Sequence, residues 1–242
     1  MTFSEKKYPL NLDFDVSTNG DSALDIRFSA EPSANLSRYI IGLRQYILSH
    51  GPNGLADLIP AYQCLTIIFD PNLFDDESLS QEIQRLTLKF LKTPGKIKTK
   101  PHTIRIPVCY ESIFAPDMTA VCKHTGLSPD EIVQLHTATS YLVHMLGFSP
   151  GFLYLGGLDS RLYCPRKNKP RVRIPAGAVG IAGNQTGIYP QATPGGWQII
   201  GQSPTQLFQP YSKFPFIAAP LDIVEFYPIN KSEFAAISQY NH

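Results

Sequence analysis

An α+β chain of two domains, residues 1–97 and 98–242, is what the sequence predicts, and three observations predict it. Up to residue 109, compact apolar runs alternate with stretches of helical period. Beyond Thr139 that period gives way to short apolar runs broken by turn residues, the signature of an all-β half. Between the two, Lys89, Lys92, Lys96, Lys98 and Lys100 cluster with Pro94, Gly95 and Pro101, the composition of a solvated joint.

In order along the chain, Ala23–Phe28 alternates apolar and polar residues like a half-buried strand. Residues 35–49 place Leu36, Tyr39, Ile40, Leu43 and Ile47 on one helical stripe, which His50-Gly51-Pro52 stops. Cys64–Phe69 is a compact strand-like run, Leu79, Ile83, Leu86 and Phe90 stripe a second helix over 78–91, and 102–109 reads as a further strand. Strand, helix, strand, helix, strand predicts a small α/β domain, ferredoxin-like or similar. Ser128-Pro129-Asp130-Glu131 predicts a helix from Pro129, because Ser128 can cap, Glu131 can reach back, and proline suits the first helical position.

From Gly147 to Pro204, GFSPGFLYLGG, PRKNKPRVRIPAGAVGIAGNQTGIYP and GGWQIIGQSP follow one another closely. Glycine serves where the backbone turns left-handed or approaches another group, and proline where φ is fixed. Phe148, Phe152, Tyr154, Tyr163, Tyr189 and Trp197 add broad faces, several with a polar tip. Composition alone allows two readings, a rigid concave site or the corners of a small β-barrel.

Several chemistries are excluded. The net charge of +1 gives no global field for nucleic acid or an anionic membrane, and the lysine cluster lacks the interleaved aromatics of a single-strand binder. Cys64, Cys109, Cys122 and Cys164 form no CxxC pair and no histidine completes a zinc site, so they read as small buried hydrophobes and no metal is expected. There is no GxxxxGK[ST] loop and no GxSxG elbow. GAVGIAG at 177–183 reads as a strand with glycines for close packing, not a phosphate loop. No run of ~18 apolar residues and no signal-like segment is present, so a soluble, cytoplasmic chain is expected.

The three segments of the 147–204 block, in that order and spacing, resemble the family of the 5-oxoprolinase B subunit, which includes the kinase inhibitor KipI and proteins called allophanate hydrolase subunit 1. They are also similar to part of the carboxyltransferase domain of urea carboxylase. The likeness continues through NGDSALDIRFS at 19–29, LADLIPAYQCLTIIFDP at 55–71 and the 107–148 stretch, and so covers nearly the whole chain. Two departures stand out. Glu111, Ser112 and Ile113 replace a Gly-Gly-Glu-type segment, and Pro220, Leu221 and Asp222 replace Pro-Gly-Asp, which puts local turn geometry in question. The resemblance implies that the second domain is a cyclophilin-like β-barrel.

Candidate site residues follow from chemistry and likeness together. His136, Ser140 and His144, spaced by four, would share one face of a helix, an arrangement able to bind a metal or relay a proton, with ordinary hydrogen-bonded histidines as the alternative. Only His136 matches the family pattern, as a polar group near the barrel mouth. Arg166 and Arg171 fall on the family's PR…PR pattern and offer guanidinium forks for carboxylate or phosphate, unless they belong to an exposed hairpin. Phe148, Pro150, Phe152, Gln185, Tyr189 and Trp197 complete the candidate set, while catalytic residues are left unassigned.

What the resemblance implies for function is an ATP-dependent opening of the 5-oxoproline lactam to glutamate, with ATP, as its magnesium complex, belonging to the complex and not demonstrable in this chain. The expected partners are a carboxyltransferase-like C subunit and a LamB/YcsF-like A subunit of the same enzyme. The alternatives are a KipI-like inhibitor of a sensor histidine kinase, or a component of an allophanate- or urea-processing enzyme.

Overall fold

The computed structural model describes residues 12–93 and 100–240. The chain divides into two compact units, residues 1–99 and 100–242, of mixed α+β architecture. Residues 94–99 of the lysine-rich joint, Lys96 and Lys98 among them, lie outside the described residues, as do residues 1–11.

The first unit contains β1 (Phe14–Thr18), β2 (Ala23–Phe28), α1 (Ala34–His50), β3 (Leu55–Pro60), β4 (Cys64–Phe69) and α2 (Asp76–Lys92). Its sheet is antiparallel throughout, in the order β1-β2-β4-β3. Ser33 caps α1 by accepting from the Leu36 amide, and Asp75 caps α2 by accepting from that of Ser78. The predicted stripes of both helices are buried on alternate residues of β2 and β4 such as Leu24, Ile26, Leu65 and Ile67. Tyr39 bridges the layers, edge-on to Phe28 at 5.5 Å and tilted against Phe90 at 5.0 Å. The five-element order read from the sequence needs correction: the strand at 102–109 is not in this sheet, whose outer strands are β1 and β3.

That strand, β5 (Thr103–Cys109), opens the second unit. It is followed by α3 (Met118–Thr125), α4 (Pro129–Thr137), β6 (Ser140–Leu146), β7 (Leu153–Gly156), β8 (Arg171–Ile174), β9 (Ala178–Ala182), β10 (Gln185–Ile188), β11 (Thr193–Gly195), β12 (Gln198–Gln202), β13 (Ile223–Ile229) and α5 (Lys231–Tyr240). Seven strands close a barrel in the order β10-β7-β6-β13-β5-β12-β9, and β8 and β11 form a separate two-stranded ribbon. Every barrel pairing is antiparallel except β5 with β13. Tyr141, Val143, Leu155, Ile181, Val224 and Phe226 belong to its buried core.

The Ser128 capping box forms as predicted and starts α4 at Pro129. The helix ends at Thr137, where the Ala138 amide donates to the Gln134 carbonyl, and Ser140 and His144 lie on β6. The shared helical face of His136, Ser140 and His144 therefore does not exist: β-branched and aromatic residues from Thr139 onward favour a strand. GAVGIAG is a barrel strand. Gly177 has φ of 77°, and a Cβ there would collide with the Ser203 carbonyl oxygen, so the glycine makes room for backbone.

Candidate functional site

Beside the barrel core a second apolar cluster forms around Phe152, Tyr189 and Trp197. Phe152 is its hub, edge-to-face with Tyr189 at 5.0 Å, with Trp197 at 5.4 Å and with Phe148 at 5.6 Å. Such crossed arrangements satisfy the ring quadrupoles and leave little rotational freedom. Two glycines permit them. A Cβ on Gly187 would lie 3.0 Å from the Trp197 ring and 3.1 Å from that of Phe152, and one on Gly195 would lie 2.6 Å from the Tyr189 hydroxyl.

These rings wall a cleft of about 90 Å³, lined also by Tyr154, Arg166, Gly195 and Gly196. The Arg166 guanidinium carbon stands 5.8 Å from the Trp197 ring centroid, within cation–π range. Burial pushes the Tyr189 hydroxyl up to about 12, outweighing the Trp197 backbone amide and the nearby Arg166 charge, so the phenol is neutral and can donate a hydrogen bond. Phe148 forms an exposed lip with φ of 67°, in the left-handed region that bulky residues rarely adopt.

Five of the predicted residues, Phe148, Phe152, Arg166, Tyr189 and Trp197, thus meet at one cleft. The other four lie elsewhere. Pro150 is on the exposed face of the turn before β7, and Gln185 opens β10 opposite Ala182, half-buried. His136, on α4, is wholly buried, with its ring stacked 4.7 Å from Phe226. Thr186 gives its hydroxyl proton to the Gly180 carbonyl, so His136 Nε2–H donates to Thr186 Oγ1 at 2.9 Å and Nδ1 accepts from the Tyr110 hydroxyl at 2.7 Å. Burial lowers the ring to about 3, so it is neutral near pH 7.

Arg171 faces Asp117, a residue that sequence reasoning misses. Asp117 accepts from both Nη atoms of Arg171, from Lys167 Nζ at 2.8 Å and from the Ile199 amide at 2.7 Å. Burial alone would raise this carboxyl, but the hydrogen bonds from Arg171, Lys167 and Ile199 hold it below its ordinary value. The node anchors the segment that carries Arg166, and the Lys167 amide donates to the Gly196 carbonyl at 2.7 Å beside Trp197. No local signal marks Asp117, because its partners stand 50, 54 and 82 residues away.

The cleft does not fit a nucleotide. Its volume is far below the ~300–1,000 Å³ of drug-sized ligand sites, and among the described residues Arg166 is its one charged lining group. Among the described residues no cluster of histidine, cysteine and carboxylate side chains is able to hold a metal, and no helix is long and apolar enough to cross a membrane.

Comparison with known proteins gives the geometry its family. Residues 14–218 match the family model "Carboxyltransferase domain, subdomain C and D". The chain is 37% identical over 236 residues to the 5-oxoprolinase B subunit of Bacillus subtilis, covering 93% of this chain and 97% of that protein. The crystal structure of TTHA0988 is 34% identical, with a TM-score of 0.72 over 86% of this chain, which spans only 40% of that longer one. Urea carboxylase of Kluyveromyces lactis shares the fold, with a TM-score of 0.77 over 98% of this chain and 24% of its own, at 20% identity. The chain therefore belongs to the carboxyltransferase subdomain C and D family, and within it to the group of 5-oxoprolinase B subunits.

Proposed function

We propose that this chain is the B subunit of an ATP-dependent 5-oxoprolinase that hydrolyses 5-oxoproline to glutamate only together with partner subunits. The carrying observation is the near full-length match to the B. subtilis protein, 97% of which is aligned at 37% identity. Opening an unstrained lactam requires activation of a poor electrophile. The cleft offers aromatic walls, a neutral phenol and one guanidinium, but no nucleotide loop and no activated nucleophile among the described residues. Those parts then come from the partners, a carboxyltransferase-like C subunit and a LamB/YcsF-like A subunit. The occurrence of the same fold inside longer chains supports such completion by additional polypeptide. Purified alone, the chain should not release glutamate from 5-oxoproline and ATP. Mixed with its cognate partners it should, and absence of turnover in every reconstitution would reject the assignment.

A further inference from the structure

We propose that the cleft between Arg166 and Trp197 is a self-contained binding site for a small flat ring bearing a single carboxylate, complete in this chain without any partner. The proposal deepens the functional reading above, and rests on it only in taking 5-oxoproline as the first probe.

Size comes first. At ~15 Å³ of such space per water-sized atom, a cleft of about 90 Å³ holds roughly six non-hydrogen atoms. A five-membered ring with one exocyclic oxygen has that number, and a carboxylate on the ring is left at the rim. The walls suit a flat ring, since Phe152, Tyr189 and Trp197 present mutually crossed faces and edges whose spacing is held by Gly187 and Gly195.

Charge comes second. Arg166 is exposed at the rim, and among the described residues no carboxylate pairs with it. Its planar fork matches a carboxylate in a two-point contact. The neighbouring cations, Arg171 and Lys167, are both drawn onto Asp117, away from the cleft lining. A single guanidinium lining so small a cleft suits a compact monoanion, and the volume leaves no room for a nucleotide. The third element is the Tyr189 hydroxyl on the wall, a neutral donor for the ring's polar atom.

Trp197 is the sole tryptophan of the chain, so the intrinsic fluorescence of the purified full-length protein reports on this cleft. Titration with 5-oxoproline should change the emission saturably, with equilibrium dialysis of labelled 5-oxoproline giving the same affinity. 2-Pyrrolidone, the same ring without a carboxylate, should bind about tenfold more weakly or worse, as expected for loss of a charged hydrogen-bond pair. Inorganic phosphate and ATP should not compete. Arg166→Gln should weaken 5-oxoproline to the level of 2-pyrrolidone while leaving 2-pyrrolidone unchanged, and Arg166→Lys should fall between. Arg166 is exposed, so an unaltered thermal melt verifies that these variants fold. No binding by dialysis, or equal affinity in wild type and Arg166→Gln, overturns the proposal, as does stronger binding of phosphate or ATP. Failure of turnover in the reconstituted complex with this binding intact would reject the enzymatic assignment alone. Turnover with wild-type kinetics in Arg166→Gln would reject the site alone.

Discussion

Arg171 grips Asp117 with both prongs of its guanidinium, at 2.5 and 2.7 Å, and the carboxylate side chain is only 3% exposed. The strand β8 is thereby fastened to the residue that precedes α3, and the Ile199 amide fastens β12 to the same carboxylate. Removing the anion leaves two cations and an amide without their partner. Asp117→Ala should therefore lose about 3–5 kcal/mol of unfolding free energy in urea titration, the range for one-sided deletion of a buried pair. A loss under about 1 kcal/mol, the size of an exposed pair, would show that the contact is solvated.

The same carboxyl predicts an acid limb to stability. Its folded value is depressed, so its contribution is complete above the unfolded value of ~3.9 and fades as pH falls through the lower folded value. Asp117→Asn should lack that limb when urea midpoints are followed below about pH 4.

His136 acts in a higher window. The unfolded ring takes a proton below ~6.5, whereas the folded ring stays neutral down to about 3. The unfolded state thus binds the extra proton, and stability falls as pH drops from about 6.5 towards 3, by up to about 1.4 kcal/mol per pH unit from this side chain. His136→Gln can keep both hydrogen bonds and does not titrate, so its stability should be flatter than wild type across roughly pH 6.5–4.5.

Leu221 adopts φ of 78°, in the left-handed region that favours glycine, while only 4% exposed. The backbone thus keeps a left-handed turn in spite of the side chain, held by the Leu221 amide on the Val143 carbonyl at 2.8 Å. Strain of about 1–2 kcal/mol is expected for such a residue. Leu221→Ala removes buried surface without relief, whereas Leu221→Gly removes both. Glycine should accordingly be the more stable variant by about 1 kcal/mol, the reverse of the usual order. Thermal melts of the two decide it.

Gly195→Ala should cost about 1–3 kcal/mol by overpacking, since the new methyl would meet both Ile174 Cδ1 and the Tyr189 hydroxyl at 2.6 Å. Because Tyr189 must move, the emission of Trp197 should change even without ligand. Unaltered emission would show that the wall yields elsewhere.

What is legible in the sequence is local. The Ser128 cap, the stripes of α1 and α2 and the packing glycine of β9, Gly180, each state their role within a few residues, where the physics is a turn of helix or a close approach. β3 is illegible because a bulge between Leu55 and Asp57 breaks its alternation and Pro60 ends it. The aromatic members of the cleft are found by type and by likeness, and Arg166 with them. Arg171 stands out as a cation, but only the fold reveals the acid that occupies it, because a contact across 54 residues leaves no periodic trace.

The parallel ladder of β5 and β13 pairs Thr103 with Ile223 and runs seven residues, while β5 meets β12 at a single register pair, Cys109 with Gln202. A polypeptide emerging from the ribosome would therefore carry β5 as a bare edge until the last strand of the barrel has been made. Nonlocal closure of this kind is slow, and an open edge invites pairing with other chains. The last seam of the barrel thus sets the hazard, and a nascent chain lacking 223–229 should be the species most prone to aggregate.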